Sequence, residues 1–145
     1  MVCVDASLVI ASLLPETISD RADLLLDRLR AAGEALIAPA LLTAEVSSAL
    51  RNAVFTKRIP SELGEAALDA FKQYPIRLHE MSGLMHSAWA WAKAVNAPRL
   101  YDMYYLALAD SEGCDLWTAD RRLVGLVGRS FARAKWVGEV TEGNA

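Results

Sequence analysis

Short apolar runs alternate with amphipathic stretches along most of this chain. Val2-Cys3-Val4 opens it as an uninterrupted apolar run, the pattern of a strand buried on both faces. After a loop at Leu14-Pro15-Glu16, Ala22, Leu25, Leu26 and Leu29 share one stripe and predict an amphipathic helix over residues 20–31, with Gly33 just past its end. Ala35-Leu36-Ile37-Ala38 is a second apolar run, stopped by Pro39. Helical spacing then covers about 41–56 and 61–73, with Ser61 placed to cap the second helix and Pro75 following it. Ile76-Arg77-Leu78-His79 alternates, as a strand at a sheet edge does. Residues 82–95 and 99–112 read as two more helices, separated by Asn96-Ala97-Pro98 and ended by Gly113. Asp115-Leu116-Trp117-Thr118 predicts a fourth strand and Lys135-Trp136-Val137 a fifth.

Strands interleaved with helices predict an α/β fold, one mostly parallel sheet of four or five strands flanked by helices on both faces. No fixed-period repeat and no Pro/Gly/Ser-rich linker divides the chain, so residues 1–145 are read as one domain with a frayed tail at about 141–145. A chain of this length buries roughly 70% of its unfolded surface and can build a core without staples.

Composition narrows the function classes. Hydrophobic residues make up 54% and charged residues 23%, which excludes a mostly disordered chain. The net charge of −3 excludes binding to nucleic acid by bulk electrostatics, but leaves room for a basic rim around an acidic centre. The longest run free of charged side chains, Met81–Ala92, is well short of the roughly 18 residues that suggest a membrane span. The opening Met1-Val2-Cys3-Val4-Asp5 lacks the basic leader of a secretory signal. Cys3 and Cys114 have apolar neighbours and no CxxC spacing, and read as unpaired core residues of a reducing cytoplasm. His79 and His86 lie far from both in sequence, so a zinc site lacks ligands and the two imidazoles read as ordinary side chains.

The acidic residues can be sorted by position. In parallel sheets, ligands bind beyond the carboxyl ends of the strands. Asp5 directly follows the first strand, and Asp120 follows the fourth by two residues. Glu45 lies in the first turns of the helix fed by the second strand. Asp102 begins a helix that runs into Gly113 and the fourth strand, so a short turn returns the helix start to the same edge. Four acids from distant places converge on one side of the sheet. Such carboxylates, set among apolar neighbours, repel one another and raise each other's pKa values. A hard divalent cation relieves the conflict, and all-oxygen ligation suits Mg²⁺ or Mn²⁺, which can polarise a phosphate for hydrolysis. The plainer reading stays open for two of them: Asp102 as a helix cap, Asp120 as the start of a turn. Asp5 and Glu45 begin no obvious helix.

Four segments carry a family resemblance that spans essentially the whole chain. Val4-Asp5-Ala6-Ser7-Leu8-Val9, Thr43-Ala44-Glu45-Val46-Ser47-Ser48-Ala49-Leu50, Tyr101-Asp102-Met103-Tyr104-Tyr105-Leu106-Ala107-Leu108-Ala109 and Leu116-Trp117-Thr118-Ala119-Asp120-Arg121-Arg122-Leu123 resemble, in order, the motifs of the PIN-domain family of metal-dependent ribonucleases. The likeness is greatest to the small VapC-type toxins of toxin–antitoxin pairs. The resemblance implies a PIN-like ribonuclease domain in which Asp5, Glu45, Asp102 and Asp120 form the catalytic metal site. It further implies that Ser7 and Thr118 brace the carboxylates or hold waters. The expected chemistry is metal-assisted hydrolysis of an RNA phosphodiester, leaving a 5′-phosphate and a 3′-hydroxyl. A cognate antitoxin and a homodimer are implied on the same ground.

Cations near an acidic site would hold the polyanion. Arg51, Arg99, Arg121 and Arg122 are the candidate RNA contacts, with Lys57 and Arg58 close by; a solvated charged face is the plainer alternative. Of Tyr101, Tyr104 and Tyr105, which could stack on unpaired bases, helical spacing assigns at least two to the core. Trp89 and Trp91 point to different helix faces, one inward and one towards a partner. Trp117 is read as core packing or as a partner-facing aromatic. The rival to a nuclease is a non-catalytic PIN-like module that engages an antitoxin or RNA. A response-regulator receiver would need an adjacent acidic pair and a late Lys. A haloacid-dehalogenase-type phosphatase would need Asp-x-Asp, where this chain has Asp5-Ala6-Ser7.

Overall fold

A computed structural model describes residues Met1–Gly143. Its centre is β1 (Val2–Val4), whose three side chains are all buried. Successive strand side chains point to opposite faces, so burial of all three requires cover on both sides of the sheet. The five strands β1, β2 (Leu36–Pro39), β3 (Ile76–His79), β4 (Leu116–Thr118) and β5 (Ala134–Trp136) run in the order β3-β2-β1-β4-β5, every neighbouring pair parallel. β1 registers Cys3 against Ile37 of β2 and against Leu116 of β4. The chain winds outward from β1 through β2 to β3, then returns to place β4 on the other side. This reversal makes the β1–β4 junction the topological switch point, where a crevice opens beyond the carboxyl ends of the strands.

Seven α-helices complete the described fold: α1 (Ala6–Leu13), α2 (Ser19–Ala31), α3 (Leu41–Phe55), α4 (Ser61–Phe71), α5 (Met85–Ala94), α6 (Tyr101–Ser111) and α7 (Arg121–Val127). Helix α6 lies over β1 and β2 with Met103 and Tyr105–Ala109 buried, an apolar surface nearly all round that marks a core helix. Helix α1 packs against β4, α2 and α3. Gly33 and Gly113 follow α2 and α6 at φ 68° and 65°, the left-handed conformation that lets a chain leave a helix sharply.

The sheet and the five helices expected from periodicity are present or nearly so, with local corrections. Two helices are additional, α7 after the fourth strand and, after the first, α1, which hides in an apolar run. The eight residues of α1 are apolar enough (Leu8, Val9 and Ala11 are fully buried) that no polar stripe distinguishes it from a buried extended run. Pro39 belongs to β2 rather than stopping it, because it occupies the last ladder position, opposite His79, where its missing donor costs little. Ser61 does not cap α4: Pro60 holds the cap position, and the Ser61 hydroxyl donates instead to Glu65 Oε1 at 3.4 Å. The last helical stretch before Asn96 splits into a 3₁₀ turn at Ser82–Leu84 and α5. Strand β3 lies at the sheet edge, and Trp91 packs inward against Phe131 while Trp89 stays exposed. In the tail, Thr141 makes an isolated bridge and Glu142–Gly143 a turn; residues 144–145 lie outside the described residues.

Candidate metal centre

Asp5 leaves the end of β1 in an extended conformation and caps α1, its Oδ1 accepting the Leu8 amide at 3.0 Å. The expectation that it begins no helix is therefore corrected, since the helix it caps was the one hidden in the apolar run. Two hydroxyls complete its surroundings. Ser7 Oγ donates to Oδ1 at 2.7 Å, and Thr118 Oγ1, from the end of β4, donates to Oδ2 at 2.5 Å. Each hydroxyl in turn accepts a backbone amide, Ser7 from Ala119 and Thr118 from Asp120, both at 2.9 Å. Every polar atom in this knot has a partner, which is what burial demands. Even so, burial pushes the Asp5 carboxyl up to about 6, against the lowering by Thr118, Leu8 and Ser7; the nearby Asp102 charge raises it further.

The other three acids stand progressively farther out. Glu45, half-buried on α3, accepts the phenol of Tyr105 at 2.5 Å. Its carboxyl is raised by desolvation, lowered by that hydrogen bond and raised again by Asp102. Asp120 caps α7 by accepting the Arg122 amide at 2.9 Å, and its Oδ1 lies 3.4 Å from Arg122 Nε. Asp102 sits in the first turn of α6 at the exposed lip. It does not take the cap position, which belongs to Leu100, and its carboxylate makes no hydrogen bond or ion pair with a described residue. Desolvation, then the Asp120 charge, hold its carboxyl high, with Arg122 opposing.

All four acids line one open cavity of about 660 Å³ over the switch point. Its other walls come from α1 and from the α3 face that carries Glu45, Ser48, Ala49 and Asn52, and the mouth is bordered by Tyr101. None of its lining residues is lysine or arginine. The polarity of this donor set, four carboxylates with three lacking any ion pair among the described residues, fits a hard divalent cation. As they stand, no three carboxylate, imidazole or thiol side chains among the described residues are gathered closely enough to hold an ion. The histidines are elsewhere, His86 exposed and His79 on β3.

A family model described as PIN domain matches residues 2–127. The chain belongs to the PIN-domain family. Ribonuclease VapC3 of Mycobacterium tuberculosis is 38% identical to it over 122 residues, 84% of each chain. Ribonuclease VapC9 of the same species is 32% identical over 123 residues, covering 85% of this chain and 88% of that protein. Among solved structures, Mycobacterium tuberculosis VapC20, a sarcin–ricin loop cleaving toxin, matches with a TM-score of 0.62 over 86% of this chain and 94% of that one. At 17% identity that likeness speaks for the fold alone. The resemblance drawn from four segments, and the parallel α/β architecture it implied, are both borne out.

The basic residues of this PIN domain frame the cavity loosely. Arg122 leans on Asp120 at the rim, while Arg121 lies over the Trp136 ring at 4.9 Å. Arg51 stacks on Phe55, away from the acids, and Arg58 pairs with Glu16 at 3.6 Å. Arg99 lines a shallow neighbouring recess with Tyr101 and Tyr104. Two features of the site escaped the sequence reading. The Tyr105–Glu45 hydrogen bond links residues 60 positions apart and leaves no local trace. The Ser48, Ala49 and Asn52 wall was legible in principle, since these residues follow Glu45 by three, four and seven positions and so share its helix face.

Proposed function

We propose that this PIN domain is a metal-dependent endoribonuclease, the toxin of a type II toxin–antitoxin pair, with Asp5, Glu45, Asp102 and Asp120 as its catalytic metal-binding acids. One observation carries the reading: four carboxylates, from the end of β1, α3, α6 and the β4–α7 turn, line a single cavity whose lining includes no lysine or arginine, Arg122 standing at its rim. Relatives that align over most of the chain are named ribonucleases. Mg²⁺ or Mn²⁺ bound there would neutralise the acids, polarise a phosphodiester and lower the pKa of a water.

The chain's own residues supply the rest. Asp5 is fixed by Ser7, Thr118 and the Leu8 amide, so the deepest ligand is oriented before anything binds. Asp102, at the lip, is left to turn towards a cation, whereas Asp120 is held there by Arg122 through its Oδ1. The RNA backbone would be drawn first to Arg122, which sits beside Asp120; Arg99 in the neighbouring recess, and Arg51 and Arg121 on Phe55 and Trp136, are the outlying candidates for phosphate contacts that position without reading sequence. Tyr101, exposed at the mouth, presents a ring on which an unpaired base can stack. In the hydrolysis, water oxygen bonds to phosphorus, the bond from phosphorus to the 3′ oxygen breaks, and that oxygen takes up a proton. The products are a 5′-phosphate and a 3′-hydroxyl.

For partners, the exposed Met85 and Trp89, one turn apart on α5, supply the apolar face that a homodimer or a cognate antitoxin requires. Among the described residues no helix is long and apolar enough to cross a membrane. We place the protein in the cytoplasm, where its two free thiols stay reduced and its RNA substrate resides.

Cleavage of total RNA by the purified chain, with and without EDTA and with Mg²⁺ or Mn²⁺ restored, tests the assignment. Loss of cleavage and of growth inhibition in a folded Asp5→Asn variant is the expected result. Growth inhibition retained in that variant would instead favour the non-catalytic module.

A further inference from the structure

We infer that Tyr105 is the positioning residue that presents Glu45 to the bound cation. The inference rests on the metal reading above and adds to it a residue that touches neither metal nor RNA. Tyr105 is on α6, one turn after Asp102, and is essentially inaccessible to solvent. Its hydroxyl crosses to α3 and donates to Glu45 Oε2, while its own carbonyl accepts the Cys3 thiol from β1 at 3.7 Å. The buried side chain thus bridges α6, which also carries Asp102, to Glu45 on α3, while the Tyr105 backbone rests against the central strand.

Two consequences follow from that geometry. With Oε2 occupied, Glu45 has Oε1 to offer, and the carboxylate is held in one rotation about its terminal bond. In addition, the Glu45 carboxylate is registered by a buried ring against α6, the helix that carries Asp102, while the Asp102 side chain itself stays unheld by any described residue. Among the described residues Glu45 has no cation to orient it, and Tyr105 is the hydrogen-bond donor it does have. Partners of this kind commonly alter metal affinity by about 10–100-fold when removed.

Titration of Mn²⁺ into the purified chain, followed by the loss of the free-ion EPR signal, reads this role without any RNA. Tyr105→Phe retains the ring and its packing, and so preserves the fold. It is expected to weaken Mn²⁺ binding about 10-fold or more. The same substitution in a Glu45→Gln background is expected to change affinity by less than about twofold, because the carboxylate it orients is already gone. A Tyr105→Phe protein that melts earlier but binds Mn²⁺ as before has lost packing only, and overturns the inference. So does an equal weakening in both backgrounds. If the unmodified chain binds no Mn²⁺, the metal reading falls and this role with it; tight binding with an indifferent Tyr105→Phe removes the role alone.

Discussion

The floor and the lip of the acidic cavity are built on opposite principles. At the floor, Asp5 is nearly inaccessible, accepts from three donors on two segments, and caps a helix. At the lip, Asp102 is exposed and has no hydrogen-bond partner among the described residues. Tertiary packing has therefore fixed one end of the site in advance and left the other to be organised by what binds. This explains why four acids share a cavity although no three are gathered tightly enough to hold an ion. It also implies that substitutions at Asp5 and Asp102 differ in kind: Asp5 couples to stability, whereas Asp102 couples to the ligand alone.

The largest expected effect tests whether both ends are needed. Asp5→Asn and Asp102→Asn should each lower cleavage by at least about 100-fold, since even residues that only orient metal ligands commonly cost 10–100-fold. Activity remaining near normal in Asp102→Asn would reduce the lip to decoration.

The second prediction separates the ends by pH. The Asp5 carboxyl, raised by burial to about 6 from an ordinary value of 3.8, holds its proton more firmly in the folded state than in the unfolded one. Its contribution to stability is thus greatest below about pH 4 and declines as pH rises towards 6, by up to about 3 kcal/mol. Denaturant melts of the metal-free chain across this window should show the decline, Asp5→Asn should flatten it, and Mg²⁺ or Mn²⁺ should offset it above pH 6. A flat wild-type profile would contradict the strained floor.

Third, Thr118→Val, at a fully buried position, removes a donor to Asp5 and the acceptor of the part-buried Asp120 amide. A loss of about 1–3 kcal/mol in stability is expected by urea unfolding. The smallest effect belongs to the rim. Arg122→Ala should leave unfolding within about 0.5 kcal/mol of wild type. If its guanidinium contacts a phosphate, the logarithmic salt slope of single-stranded RNA binding, measured with a cleavage-deficient Asp102→Asn chain, should fall by about 0.7.

Much of this was legible in the chain because it depends on position along a strand. Asp5 after Val2-Cys3-Val4 and Asp120 after Leu116-Trp117-Thr118 could be assigned to one sheet edge from chain direction alone, and Glu45 and Asp102 from the helices flanking it. What could not be read is what depends on contact. The α1 helix was masked by apolar residues on every side, and its absence from the reading hid the cap that Asp5 makes. The orientation of the arginines was equally silent: Arg51 and Arg121 settle onto Phe55 and Trp136, rings whose proximity no periodicity announces. Tyr105 could be placed in the core by its spacing, but not matched to Glu45.

That Asp5 serves the α1 terminus as well as the cavity has a bearing on how such a protein could lose its activity over time. A carboxylate retained for helix capping would persist in a lineage that no longer cuts anything, so its presence in a sequence is poor testimony to a working enzyme. Asparagine caps about as well. A gentle route to a harmless descendant is therefore one amide at this position, a disarmed copy whose architecture carries no scar.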